Sequence, residues 1–196
     1  MKKYLGPAIG ALVLIGIAIW IVFFVINNKE RDNVFSAKKS STETGAILEK
    51  DLDRFYPSSV REVVRLYLRI NKACYSESMT EADFGYVLKK MRQLFDDELL
   101  SVNPYDTQKM AYYDEVTAFK NAKKSMTLYK VQKQSDAVKW TAEDGTEYSS
   151  IIGYFMSSTP NGFEYTYEKF LLRLEKDTGK WKILGWEATT PVDIGD

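Results

Sequence analysis

Histidine is absent from this chain of 196 residues, and cysteine occurs once, as Cys74. Without histidine there is no Ser-His or Cys-His nucleophile, no histidine general base and no histidine-ligated zinc site. A single cysteine excludes a disulfide within the chain, and its place in an apolar helical pattern predicts a small buried hydrophobe. Catalysis would have to depend on carboxylates, tyrosine or lysine. The sequence favours a protein without catalytic residues, cofactor or metal site.

An excess of charge of either sign is also lacking, since 27 Lys and Arg balance 27 Asp and Glu. Binding to the phosphate backbone of nucleic acid needs a basic patch or a basic excess, so no nucleic-acid partner is expected. Beyond its N-terminal segment, the chain has the length of one ordinary domain. A domain of this size can bury a core without disulfides.

Charge is missing altogether from residues 4–26, "YLGPAIGALVLIGIAIWIVFFVI". About 20 apolar residues suffice for an α-helix to cross a bilayer. The apolar region of a cleaved signal peptide is shorter, roughly 7 to 15 residues, and ends in small residues. The run therefore predicts a retained membrane helix. The alternatives are a cleaved signal peptide and a buried helix of a soluble protein.

Basic residues lie on both sides of this run. Two lysines precede it and more basic residues follow it, so the positive-inside count alone favours a cytoplasmic domain. The short tail "MKK" is instead typical of a bacterial signal-anchor, and we prefer the N-terminus inside and the domain outside. The predicted divisions are residues 1–28, cytoplasmic tail and membrane helix; 29–47, flexible linker with a short helix near Thr44; 48–190, folded domain; and 191–196, tail.

Helical periodicity covers the first half of the folded part. It predicts three helices, in "YPSSVREVVRLYLRINKACYSE", "TEADFGYVLKKMRQLFDDELLSV" and "NPYDTQKMAYYDEVTAFKNAKK". Thr80 with Asp83 forms a capping-box pattern at the start of the second helix. The acidic run 96–98 in this helix is expected to face solvent, because consecutive helical residues point in different directions.

From Ser125 onward the pattern alternates as in β-strands, with turns at Asp144-Gly145, Asn161-Gly162 and 177–179. Apolar residues occupy odd-numbered positions up to Tyr167 and even-numbered positions after Glu168-Lys169. The same change from odd to even positions occurs near Gly185. A β-bulge at each place would keep the apolar side chains on one side and bend the sheet. The order of elements predicts an α+β fold in which a strongly curved, cone-like antiparallel sheet wraps around three helices. Residues 164, 166 and 168 are then expected to face solvent.

The long helix "VREVVRLYLRINKA", the helices after it, the bent strands and the closing "GKWKILGWE" resemble the nuclear transport factor 2-like superfamily. The resemblance covers about Leu48 to Ala188 and implies a cone whose concave sheet face often holds a ligand or partner. Because histidine is absent, the histidine-aspartate active sites of that superfamily cannot apply. The whole chain also resembles small membrane-anchored proteins of Gram-positive bacteria. Fold by itself does not establish function.

Four aromatic residues on the strands are the candidate ligand-binding residues: Tyr154, Tyr165, Tyr167 and Trp186. They are predicted to line the curved face as the wall of a pocket or groove. The alternative is an aromatic core packed against the helices. We expect an extracytoplasmic interaction or scaffold domain at the cell membrane, whose partner is another envelope protein or a second copy. The alternative function is binding of a small molecule or envelope ligand on the concave face.

Overall fold

The computed structural model describes residues 42–194. The predicted membrane helix and most of the predicted linker lie outside the described residues. Within residues 42–194, no helix is long and apolar enough to cross a membrane. Helices come first and strands follow, so the predicted α+β class is confirmed.

Five helices form the first half of the described chain: α1 Thr42–Leu48, α2 Val60–Ser76, α3 Glu81–Arg92, α4 Asp97–Val102 and α5 Tyr105–Asn121. Thr80 caps α3 as predicted, since its Oγ1 accepts a hydrogen bond from the Asp83 amide at 3.1 Å. The Thr80 hydroxyl also donates to Asp83 Oδ2 at 2.8 Å. The predicted second helix is divided into α3 and α4. Between them the backbone pairs with a distant strand, where the Ile183 amide donates to the Leu94 carbonyl at 2.8 Å.

The second half is a five-stranded antiparallel sheet of β1 Ser125–Val131, β2 Val138–Thr141, β3 Glu147–Thr159, β4 Gly162–Leu174 and β5 Trp181–Ala188. The strand order is β1-β3-β4-β5, and β2 pairs with the first half of β3. Gly145 and Gly179 have φ values of 76° and 67° in the turns before β3 and β5. Glycine adopts this left-handed backbone without steric cost, which explains the turn signals in the sequence.

The prediction of a strongly curved, cone-like sheet was wrong. β3 and β4 pair without interruption from Tyr148 with Arg173 to Thr159 with Gly162, so the bulge expected near residues 168 and 169 is absent. The bulge expected in β5 is present, because the pairing with β4 skips Leu184. Without a bulge in β4 the sheet is not strongly curled, and the apolar residues of that strand lie on both of its faces.

The core lies between the helices and one face of the sheet, which we call the inner face. α2 packs on β1, β3 and β5. Phe170, Leu172 and Ile183 on the inner face are fully buried. Gly153 of β3 lies beneath α2, and a Cβ added there would be 2.9 Å from Leu68 Cδ1. The absence of a side chain at this position therefore allows helix and sheet to approach closely.

Asp96 does not face solvent as predicted for the acidic run. It is buried, and its Oδ1 accepts a hydrogen bond from the Glu98 amide at 2.9 Å, which caps α4. Its Oδ2 accepts from Arg173 Nε at 2.9 Å, and Arg173 also forms an ion pair with Oδ1. A bidentate guanidinium pair of this kind fixes orientation as well as charge. It joins the start of α4 to β4.

Candidate interaction surface

The outer face of the sheet, opposite the helices, carries a continuous group of large apolar side chains. Residues directly opposite each other in paired strands lie on the same face. β3 and β4 place Tyr154 beside Tyr167, and Met156 beside Tyr165. We call the following set the outer aromatic patch: Leu128, Tyr154, Met156, Phe163, Tyr165 and Tyr167.

Several side chains of the outer aromatic patch are open to solvent. Phe163 is 64% exposed and Tyr165 is 57% exposed. The ring centroids of Tyr154 and Tyr167 lie 5.0 Å apart, and those of Tyr154 and Tyr165 lie 6.0 Å apart. Single exposed apolar residues are ordinary, whereas a contiguous group of this kind is typical of an interaction site.

The apolar character of the outer face continues onto the edge strand β2. Val138 and Trp140 are both exposed there. The Trp140 ring stacks on Tyr148 of β3, with centroids 5.7 Å apart and an interplanar angle of 13°. The exposed apolar surface therefore reaches from the outer aromatic patch toward the other half of β3.

The structure brings together three of the four predicted site residues. Tyr154, Tyr165 and Tyr167 belong to the outer aromatic patch, whereas Trp186 lies on the inner face. Its ring centroid is 5.1 Å from that of Tyr67 on α2. The extra residue Leu184 shifts the alternation of β5 by one, which turns Trp186 toward the helices. The four residues therefore form no common wall, and their role in binding stays a prediction.

Sequence reasoning placed Glu168 on the solvent face, and this was wrong. Glu168 shares the inner face with Phe170, and its neighbours across the strands are Gly153 and Ala188. Burial raises the pKa of Glu168 to about 7. Burial, with a smaller effect from the charge of Glu168, raises the pKa of Glu115 on α5 to about 8.

This pair of carboxyl groups lies near a buried tyrosine network. The pKa of Tyr67 is raised well above its ordinary value, chiefly by burial and then by the charge of Glu168. Tyr112 donates a hydrogen bond to Asn71 Oδ1 at 2.6 Å. No ion pair to Glu115 or Glu168 occurs among residues 42–194. Burial thus keeps both carboxyl groups protonated to a higher pH than usual.

Two shallow surface cavities of about 300 and 280 Å³ lie elsewhere, and neither is lined by the four predicted aromatic residues. The first lies between α3, α4 and β5. The second lies around Arg173 and the turn before β3. Within the described part of the chain, no group of acidic or cysteine side chains is arranged to hold a metal ion.

The fold and the uncovered sheet face define an α+β domain with an exposed aromatic surface. The chain belongs to a family known as the domain of unknown function DUF6715, whose model matches residues 1–186. No curated protein matches it. Among solved structures, it is similar to the intermembrane space region of the chloroplast protein ARC6, with 9% identity and a TM-score of 0.37 over 73% of this chain and 99% of that one. The nuclear transport factor 2-like resemblance is not shown by these comparisons.

Proposed function

We propose that this chain is a membrane-anchored, extracytoplasmic interaction domain that binds a second copy of itself through the outer aromatic patch. The observation that carries the proposal is the exposure of Phe163 and Tyr165 on a sheet face whose opposite side is filled by the core. Aromatic residues and methionine are enriched at protein interfaces. A second sheet can pack face to face on such a surface.

The size of the face fits a second copy. The two longest strands have 13 residues each, and four strands lie side by side. The four strands have 7, 13, 13 and 8 residues, 41 together. With ~3.3 Å per residue and ~4.8 Å between strands, the face measures roughly 650 Å². A stable dimer of standard size buries about 800 Å² on each partner. Two-fold dimers use the same patch on both subunits and are the commonest homo-oligomers.

The N-terminal sequence supports the membrane anchor in this proposal. The uncharged residues 4–26 are long enough for one membrane span, and the family match begins at residue 1. The described chain begins with α1, which packs on α2 and α3. The tether thus joins the domain on its helical side, and the outer aromatic patch lies on the other side. This placement leaves the patch accessible in the anchored chain.

Thiol crosslinking of the full-length chain in native membranes tests the proposal. The chain's own Cys74 is buried and should not react. Tyr165→Cys places a thiol in the outer aromatic patch, and Tyr86→Cys places one on α3 with a similar exposure of 58%. A short bis-maleimide should produce covalent dimers of Tyr165→Cys and few of Tyr86→Cys.

Equal dimer formation by the two variants would mean that association occurs elsewhere, for example through the N-terminal segment. Crosslinking of Tyr165→Cys to a protein of another mass would show a different partner. Either result overturns self-association through the outer aromatic patch. As a matched control, the Tyr165→Cys protein incubated in reducing buffer without the bis-maleimide should remain monomeric on a denaturing gel.

A further inference from the structure

A cationic cavity lies where α3 ends and the chain turns to pair with β5. Its volume is about 300 Å³, and it is lined by Lys89, Arg92, Gln93, Phe95, Asp97, Leu100 and Lys182. The divided helix creates it, because the segment after Arg92 leaves the helical path to reach Ile183. Residues distant in the sequence therefore meet around one concave surface.

Two of the three cations come from α3 and lie on the same face of that helix, since they are three residues apart. Lys89 Nζ is 5.6 Å and Arg92 Cζ is 5.7 Å from the centroid of the Tyr105 ring. The face of an aromatic ring attracts cations at this distance. The Tyr105 ring therefore holds both positive charges close to each other.

The third cation comes from β5. Lys182 Nζ donates a hydrogen bond to the Gln93 carbonyl at 2.8 Å and lies 4.8 Å from the centroid of the Tyr56 ring. An ammonium group has three donors, so this contact leaves further donors for a ligand. The ammonium is thus positioned at the cavity by a backbone acceptor and an aromatic face.

None of these three cations forms an ion pair with a carboxylate within residues 42–194. Arg92 donates instead to neutral acceptors, the Asn103 carbonyl at 2.8 Å and the Gln108 side chain. Burial lowers the pKa of both Arg92 and Lys182. Partly desolvated positive charges are unfavourable, and a bound anion would relieve that cost.

The lining determines the class of anion. Three positive side chains and one negative side chain, Asp97, give a net charge of +2. A phosphate monoester carries about −1.5 to −2 near neutral pH, whereas a carboxylate or sulfate ester carries a single charge. Phe95 and Leu100 add an apolar wall. We propose that this cationic cavity binds the phosphate group of a small phosphomonoester.

Calorimetric titration of the full-length chain in detergent micelles with phenyl phosphate tests the proposal. We expect saturable binding that weakens as salt is added, because the attraction is between charges. Phenyl sulfate has a similar shape and one charge fewer, and it should bind at least about 5-fold more weakly. Inorganic phosphate should also bind more weakly, because it makes no contact with the apolar wall.

Two variants and one control connect the binding to the cavity. Lys89→Gln combined with Lys182→Gln should weaken phenyl phosphate binding about 10-fold or more. Lys133→Gln removes an exposed charge in the connection after β1 and should leave it unchanged. If the double variant does not fold, Lys89→Gln alone tests the cavity, because it keeps the contact of Lys182 with Gln93. It should bind phenyl phosphate more weakly than Lys133→Gln does. Absence of saturable binding, or equal affinity in Lys89→Gln and Lys133→Gln, overturns the proposal.

Discussion

Two carboxyl groups, one on α5 and one on the inner face of the sheet, give the protein a response to pH. Glu115 and Glu168 belong to α5 and β4, and the pKa of each is raised by burial, to about 8 and about 7. The ordinary value for these carboxyl groups is 4.5. Between those values the folded chain binds protons more tightly than the unfolded chain does. The stabilisation is fully present below about pH 4.5 and is lost as the pH rises through 7 to 8.

Glu115→Gln should therefore stabilise the protein most at alkaline pH, because it removes a charge that is costly in the folded state. We expect the free energy of unfolding to rise by about 1–2 kcal/mol near pH 8.5, and by less near pH 5. Thermal unfolding followed by near-ultraviolet circular dichroism at the two pH values measures the difference. Asp114→Asn, an exposed change on the same helix, is the control and should show no such pH dependence. A decrease in stability at alkaline pH would contradict the interpretation.

At the scale of elements, the packing of α2 on the sheet depends on one missing side chain. Leu68 of α2 is buried directly over Gly153 of β3. The carbonyl oxygen of Lys130 is also within 3.3 Å of the place where a Cβ would stand. Because α2 packs on three strands, a displacement of this helix at Gly153 would disturb its whole contact with the sheet.

Gly153→Ala should consequently destabilise the protein by about 1–3 kcal/mol, as overpacking of a filled core does. Chemical denaturation gives the free energy of unfolding. Leu68→Val shortens the opposing side chain, so the double variant should be more stable than the sum of the two single effects. If the effects of Gly153→Ala and Leu68→Val simply add, the contact between these residues is not the cause.

At the scale of the whole molecule, the described domain follows an uncharged N-terminal run, residues 4–26. We propose that this run anchors the chain and that the outer aromatic patch and the cationic cavity act beside a membrane. The two surfaces lie apart, the first on the outer face of β3 and β4 and the second where α3, α4 and β5 meet. Occupation of one need not block the other.

Deletion of residues 4–26 should move the protein from the membrane fraction to the soluble fraction. The full-length chain should resist extraction by alkaline carbonate, because removal of an apolar segment of about 20 residues from a bilayer is very unfavourable. Mass spectrometry of the membrane-bound protein should find residues 1–26 still attached. A mature protein that begins after this run would establish the cleaved signal peptide instead.

Local periodicity, helix caps and glycine turns were enough to predict the α+β class, the main helices and the strand turns. The change of alternation at Gly185 also predicted the bulge in β5. The features that could not be predicted depend on contacts between distant segments. Ile183 divides the predicted second helix by pairing with Phe95, and Arg173 buries Asp96. The unbroken pairing of β3 with β4 places Glu168 on the inner face. Local pattern carries no information about such pairings, because their energies depend on residues that meet only after folding.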